Sequence, residues 1–335
     1  EDSYQVLSAD GTYTPIDTQE FLPGNTSNSV VLKENHVSYT DVTSVSGMSP
    51  FGIHAGYDDV EQLTLLLGDQ PDAVTVRDTL GSGGRVSVLT GGGDDAVNVG
   101  NAGSLDNILG ELEIDSGTGN HNRLIIDDSA DGDADAAVFV TQTSVTGMAP
   151  GVISYTATGG YFGSFFSGDA VNGGEFDAGI TILGGSGGNT ITVESARNNA
   201  PVVEVTRLDS GAGNDNVTIT DADPRYVEVH GGIGNDVISL NQPASSSPAF
   251  GGLTVFGDAG ADTISGGVQA DVLVGGLDSD TVDGGVGNDV IVGDDAVIVR
   301  RADYSVQRIE TRNDDEGGSD TLSSSQGADI IVGGA

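Results

Sequence analysis

Between residues 257 and 292 the polar and apolar positions repeat with a period of nine: GDAGADTIS, GGVQADVLV, GGLDSDTVD, GGVGNDVIV. Aspartate stands at 262, 271, 280 and 289, and two places later comes an apolar residue, Ile264, Leu273, Val282 or Ile291. The same nine recurs singly as TGGGDDAVN (90–98), SGAGNDNVT (210–218) and GGIGNDVIS (231–239), with Asp95, Asp215 and Asp236 in the aspartate place. It recurs again as SQGADIIVG (325–333), with Asp329 and Ile331. Degenerate copies are LGDQPDAVT (67–75) and GGSGGNTIT (184–192), the latter with Asn189 for aspartate. A single apolar residue between polar neighbours fits a short strand whose middle side chain points inward. The glycines fit tight turns that need positive-φ backbone.

The chemistry of the nine follows from its residue types. Glycine turns its carbonyls inward, and aspartate adds one hard anionic oxygen to the same space. Ca²⁺ takes about six to eight such oxygens, so one nine supplies too few and two neighbouring turns must share an ion. One buried aliphatic side chain per nine does not offset the backbone entropy of ordering nine residues. A shared cation supplies the difference and neutralises carboxylates stacked close together. The expected ligands are Asp95, Asp215, Asp236, Asp262, Asp271, Asp280, Asp289 and Asp329.

The pattern resembles the calcium-binding nonapeptide of the RTX (repeats-in-toxin) family, G-G-x-G-x-D-x-U-x with U apolar. The likeness is close over 257–292 and 231–239 and looser elsewhere. It implies an all-β fold, a right-handed parallel β-helix or β-roll in which six residues form a turn and three a strand. It also implies several calcium ions between successive turns, held by Asp carboxylates and turn carbonyls.

A longer repeat overlies the short one. TSVSGMSP (43–50) returns as TSVTGMAP (143–150), and the two methionines of the chain, Met48 and Met148, lie in these copies. The chain therefore divides into a β-rich lead-in or cap at 1–42 and an irregular β-helix unit at 43–128. A second unit follows at 129–240, with an insertion at about 158–178. The nonapeptide roll spans 241–335. It is interrupted at about 294–322, where two alternating runs flank Asp303–Tyr304 and predict a β-hairpin carrying Arg300, Arg301, Arg308 and Arg312. These long units resemble those of very large secreted or cell-surface microbial proteins.

Charge sharpens the picture. The 335 residues hold 11 Lys+Arg against 51 Asp+Glu, a net charge of −40, with 53 glycines. Of the acids 39 are Asp and 12 Glu, which favours turns and calcium over helices. So acidic a chain repels nucleic acid and anionic membrane. Apolar runs such as 63–67 are far shorter than the ~20 residues of a membrane span. There is no cysteine, hence no disulfide or thiolate chemistry. EDSYQVLSAD at the start and GGA at the end read as cuts within a longer protein.

Other motifs are weak. Asp131, Asp133 and Asp135 imitate an EF-hand opening, but Ala136 and Gln142 stand where its Gly and Glu belong, so 127–135 reads as an acidic surface loop, with a further Ca²⁺ site as the alternative. GGSGG (184–188) matches the hydrolase elbow only through glycine abundance, and Ser186 lies in a repeat turn. The histidines, 36, 54, 121 and 230, are scattered. Tyr161, Phe162, Phe165, Phe166 and Phe176 concentrate in the insertion, and N-x-S/T acceptors occur at Asn25 and Asn216.

The expected function is a calcium-binding structural region of a large extracellular or cell-surface protein: a rod, filament, adhesin stalk or surface-layer component. It folds on Ca²⁺ and associates with itself or with neighbouring repeats. No catalytic set is expected. The alternative is a folding and secretion module of a secreted polysaccharide-active or hydrolytic enzyme whose catalytic part lies elsewhere.

Overall fold

A computed structural model describes residues 60–158 (except 80, 82, 120 and 142), 179–194, 205–221, 228–241, 252–300, 306–312 and 317–333, together with the strands at 3–8, 13–16, 28–33, 36–41 and 53–56. Every regular element among the described residues is a strand. The strands form two long sheets, of 14 and 13 members, and one separate two-stranded ribbon.

From Val60 on, successive strands of the two sheets alternate between them, except that Val138–Thr141, Ser144–Thr146 and Ile153–Thr156 form an antiparallel trio within the first. Val60–Leu66 belongs to the first and Ala73–Val76 to the second; Arg85–Leu89 returns to the first and Ala96–Val99 to the second. One coil is thus a strand, a turn, a strand and a turn, and coils stack by parallel pairing, as Leu63 with Val86 and Val74 with Val97. The expected parallel β-roll is the fold observed.

The nines obey the same alternation, and this fixes their neighbours. Thr263–Ser265 pairs with Thr281–Asp283 in the first sheet, and Val272–Leu277 pairs with Val290–Asp294 in the second. Two nines therefore make one coil. Nines adjacent in sequence turn at opposite edges of the roll, and the turn stacked on Asp262 is that of Asp280, not that of Asp271.

The core is a column of aliphatic side chains between the sheets. Ile264, Leu273, Val282 and Ile291, the apolar members of the nines, are 0–1 % exposed. In the N-terminal coils each strand sends in two residues, such as Val97 and Val99 or Leu124 and Ile126, all buried. The column opens at the C-terminal end, where Ile331 is 49 % exposed.

At the other end the lead-in extends both sheets. Ser3–Ser8 lies antiparallel to Val60–Leu66, and Asn28–Lys33 lies parallel to Ala73–Val76 and continues through two antiparallel strands. Both sheets continue across 128 and 240, the first by way of the antiparallel trio at 138–156. Of the longer repeat, 143–150 forms Ser144–Thr146 and a turn that buries Met148, whereas 43–50 lies outside the described residues. So do residues 159–178, with Tyr161, Phe162, Phe165, Phe166 and Phe176, and so does Asn25.

The segment at 294–322 contains an antiparallel ribbon, Ala296–Arg300 with Val306–Thr311. It folds against the outer face of the second sheet. Ala296 and Ile298 bury Val274 and Val292, forming a second small core with Phe256 and Ile309 at its margin. That contact explains why these two outward strand positions are aliphatic.

Candidate metal centre

The turns form two columns, one along each edge of the roll, and in each column the sixth residues of the nines form a ladder. At the edge leading into the first sheet, the backbone N–H of Asp215 donates to Asp236 Oδ1, Asp236 to Asp262 and Asp262 to Asp280, each at 2.8 Å. Asp280 then donates to Asp320 Oδ1 at 3.0 Å. At the other edge Asp271 donates to Asp289 at 2.9 Å and Asp289 to Asp329 at 3.0 Å, and nearer the N-terminus Asp72 donates to Asp95 at 2.8 Å. The eight expected ligands thus lie on two lines. Asp215, Asp236, Asp262 and Asp280 share one, and Asp95, Asp271, Asp289 and Asp329 the other. All but Asp329, which tops its column and is half-buried, are at most 2 % exposed.

One oxygen of each carboxylate is therefore occupied in tying one coil to the next. The other oxygen distinguishes the turns. Oδ2 of Asp95, Asp215, Asp236, Asp262 and Asp280 is buried with no hydrogen-bond donor. In the glycine-led turns it points into the space left by the missing side chain of the first residue. A Cβ on Gly231 would sit 2.6 Å from Asp236 Oδ2 and 2.7 Å from the carbonyl oxygen of Gly257 in the next coil. The same crowding joins Gly257 to Asp262 Oδ2 and the Gly275 carbonyl, and Gly275 to Asp280 Oδ2 and the Gly293 carbonyl. The Oδ2 atom and the next coil's carbonyl oxygen thus lie close together against the glycine, where a side chain would not fit.

Asn189 provides an internal control. It occupies the aspartate place on the same ladder, with Asn189 N–H donating to Asp215 Oδ1 at 2.6 Å. Its Nδ2 donates to the Ser210 carbonyl at 3.0 Å, and Asn122 likewise donates Nδ2 to the Gly119 carbonyl at 3.0 Å. The amide brings the positive end that a carboxylate lacks. Ser210, the first residue of its nine, donates Oγ to the Gly231 carbonyl at 2.6 Å. Asp271 differs from its neighbours because its Oδ2 accepts the Gly267 N–H at 3.1 Å. Ser324 Oγ approaches Asp289 Oδ2 at 3.4 Å. From Asp215 onward the unbalanced ladder oxygens accordingly gather along the Asp236–Asp262–Asp280 edge, while Asp95 carries one on the other edge.

Burial dominates the electrostatics. It pushes Asp95 up to about 6, Asp236, Asp271 and Asp280 to about 7 and Asp262 to about 8, and it raises Asp215 and Asp289 as well. Neighbouring rungs add like-charge repulsion, as Asp236 and Asp280 do on Asp262. Among the described residues no three Asp, Glu or His side chains converge on one point. A cation here would draw most of its oxygens from turn carbonyls, which suits a hard ion of high coordination number such as Ca²⁺. The residues present thus fit the ion. Asp236, Asp262 and Asp280 would hold it with the carbonyls of Gly257, Gly275 and Gly293, and the ion would supply the positive charge that the Oδ2 atoms lack.

Asp320 belongs to this set and does not stand out in the sequence. Its nine is split: Gly293 and Asp294 begin the turn, the hairpin intervenes, and 317–320 complete it. Thr321–Ser323 then pairs with Thr281–Asp283. The residual signal is Asp320 followed two places later by Leu322.

The remaining motifs take ordinary structural roles. Ser186 is exposed and gives its N–H and Oγ to the Asp131 carbonyl, at 2.6 and 3.0 Å. His230 lies between Glu228 (2.7 Å) and Asp258 (2.8 Å) and stacks on Phe256. His121 pairs with Asp94 at 3.2 Å. Asn216 opens a strand, its N–H bound to the Asn189 carbonyl. Arg308 of the hairpin pairs with Glu310 of its own strand.

Stacked acidic turns around an aliphatic column define a calcium-binding-repeat β-roll. The family model of the RTX calcium-binding nonapeptide repeat matches residues 256–291 and 314–335 in four copies, so these stretches are RTX repeats. The gap between the two matches is where the hairpin is inserted. No curated protein and no solved structure matches the chain.

Proposed function

We propose that this chain is a calcium-loaded structural segment of a secreted or cell-surface protein, disordered before export and folded outside the cell. The observation that carries the reading is the row of Asp236, Asp262 and Asp280 Oδ2 atoms, each buried without a donor against a glycine carbonyl of the next coil. Extracellular calcium is about millimolar, within the range of extracellular calcium modules, whereas a calcium-poor compartment leaves the net charge of −40 self-repelling. The role is structural rather than catalytic, as a rod, filament, stalk or surface-layer component. Support comes from the buried carboxyls, which serve as rungs between coils, and from Ser186, whose hydroxyl is bound to a backbone carbonyl. Association with neighbouring repeats or copies is part of the same reading.

The test is circular dichroism and hydrodynamic radius with chelator and with Ca²⁺. Calcium brings a large gain of β signal and a smaller radius; identical spectra and radii refute the proposal.

A further inference from the structure

The ladder extends one rung beyond Asn189, into a turn that no nonapeptide supplies. Asp135 N–H donates to Asn189 Oδ1 at 2.9 Å, placing Asp135 in the same column as Asp215 and Asp236. The first residue of this turn is Asp128. Its N–H bonds to the Leu183 carbonyl just as Gly184 bonds to Asp209 and Ser210 to His230, so Asp128 is level with those turn-openers. Where the strict nines have glycine, this coil has a second carboxylate, and the turn is two residues longer.

Asp128 is 1 % exposed. Its Oδ1 accepts the Leu105 N–H at 2.8 Å, while its Oδ2 is buried and has no donor. Oδ2 of Asp135 is in the same state, and the two side chains meet. Asp131 adds its charge to both, and Asp106 and Asp133 add theirs to Asp135. Among the described residues no ion pair reaches any of the five.

The loop is also built rather than loose. Asp131 N–H bonds the Asp128 carbonyl at 2.9 Å and Ala130 N–H the Gly103 carbonyl at 2.7 Å, while Ser186 clamps the Asp131 carbonyl from the following coil. Backbone on both sides therefore holds the buried Asp128 carboxylate beside the half-buried one of Asp135. A shared proton would cancel one charge of this group. A divalent cation cancels both facing charges and satisfies both orphan oxygens.

We infer that Asp128 and Asp135 form a hard divalent-cation site, suited to Ca²⁺, outside the RTX repeats, which pins the 128–135 loop to the coils at 103–105 and 185–187. The inference rests on the calcium reading above, yet it uses none of the nonapeptide carboxylates.

Hydrogen–deuterium exchange on the full chain, with CaCl₂ or chelator at constant pH, separates the two. Peptides covering 128–136 and peptides covering 254–292 are followed in the wild type, in Asp128→Asn and in Asp128→Asn/Asp135→Asn. Native mass spectrometry counts the bound ions. The wild type is expected to show exchange at 128–136 slowed at least about tenfold by Ca²⁺. The double variant is expected to lose that response and one ion while 254–292 stays calcium-protected. If 254–292 responds to Ca²⁺ but 128–136 exchanges alike in both conditions, the pair shares a proton and the site is refuted while the wider reading stands. If neither region responds, both fail. The wild-type comparison decides the matter even where a variant folds poorly.

Discussion

Residues 60–127 and residues 254–292 build the same coil with different adhesives. In the first stretch each strand sends two aliphatic side chains inward, as Val74 with Val76 or Leu112 with Ile114, and Leu105 and Ile108 fill a connecting loop. The ladder there includes Asn122, which satisfies a turn carbonyl with its own amide. In the second stretch each strand contributes one residue to the main column, Ile264, Leu273, Val282 or Ile291, and strands of the first sheet shrink to three residues. The carboxylates there stack every 18 residues. Apolar burial per coil falls as unbalanced negative charge rises. Cohesion passes from the hydrophobic effect, present under all solution conditions, to a cation that can be added or withdrawn.

The contrast is broken most directly by removing calcium. In chelator, 254–292 is expected to lose nearly all amide-exchange protection while 60–127 keeps a substantial part of its own. Equal loss in the two stretches, read by hydrogen exchange, would erase the distinction.

The next largest effect concerns pH without calcium. Carboxyls raised to about 7 in Asp236 and Asp280 and about 8 in Asp262 bind protons more readily in the fold than in the unfolded chain, where they titrate near 3.8. Between those values the native state holds more protons, so unfolding free energy falls as pH rises. The contribution is fully present below pH 4 and lost as pH climbs through 7 to 8. Denaturant midpoints in chelator should therefore drop from pH 5 to pH 8. In saturating Ca²⁺, which binds the deprotonated form, the slope should reverse.

Smaller again is a core deletion. Leu273→Ala removes the sole main-core residue of its strand and should cost about 2–5 kcal/mol in calcium. Val99→Ala, beside Val97, should cost less, by chemical denaturation.

The finest change exchanges the rungs. Asp236→Asn should release one cation site and raise calcium-free stability by about 1–3 kcal/mol, because a donor replaces an orphan oxygen. Asn189→Asp should do the opposite, and calorimetric titration with thermal melting in chelator reads both effects.

Much of this was legible in the chain. Asp-x-apolar at nine-residue spacing reports both the buried column and the ladder, since one turn chemistry and one inward side chain serve every coil. The two-edged arrangement was not. A nine reverses the chain once and two reversals are needed to return to the same sheet, so Asp262 and Asp271 look adjacent in sequence yet face opposite edges. Asp320 escaped because a hairpin interrupts its turn, and the Asp128–Asp135 pair because its turn is two residues too long for the period. The difference between Asp236 and Asp271 was also hidden. It depends on whether a backbone N–H such as that of Gly267 reaches the second oxygen, which spacing does not encode.

Cohesion of the acidic coils rests on a cation held by the donorless Asp oxygens and the glycine carbonyls of the next coil. A crystal structure grown in CaCl₂, with anomalous diffraction recorded at long wavelength, tests it. Calcium peaks are expected beside Asp236, Asp262 and Asp280, each touching Oδ2 and the carbonyl of Gly257, Gly275 or Gly293. Ordered turns without such peaks, their Oδ2 atoms bonded to water or to backbone N–H, would contradict it.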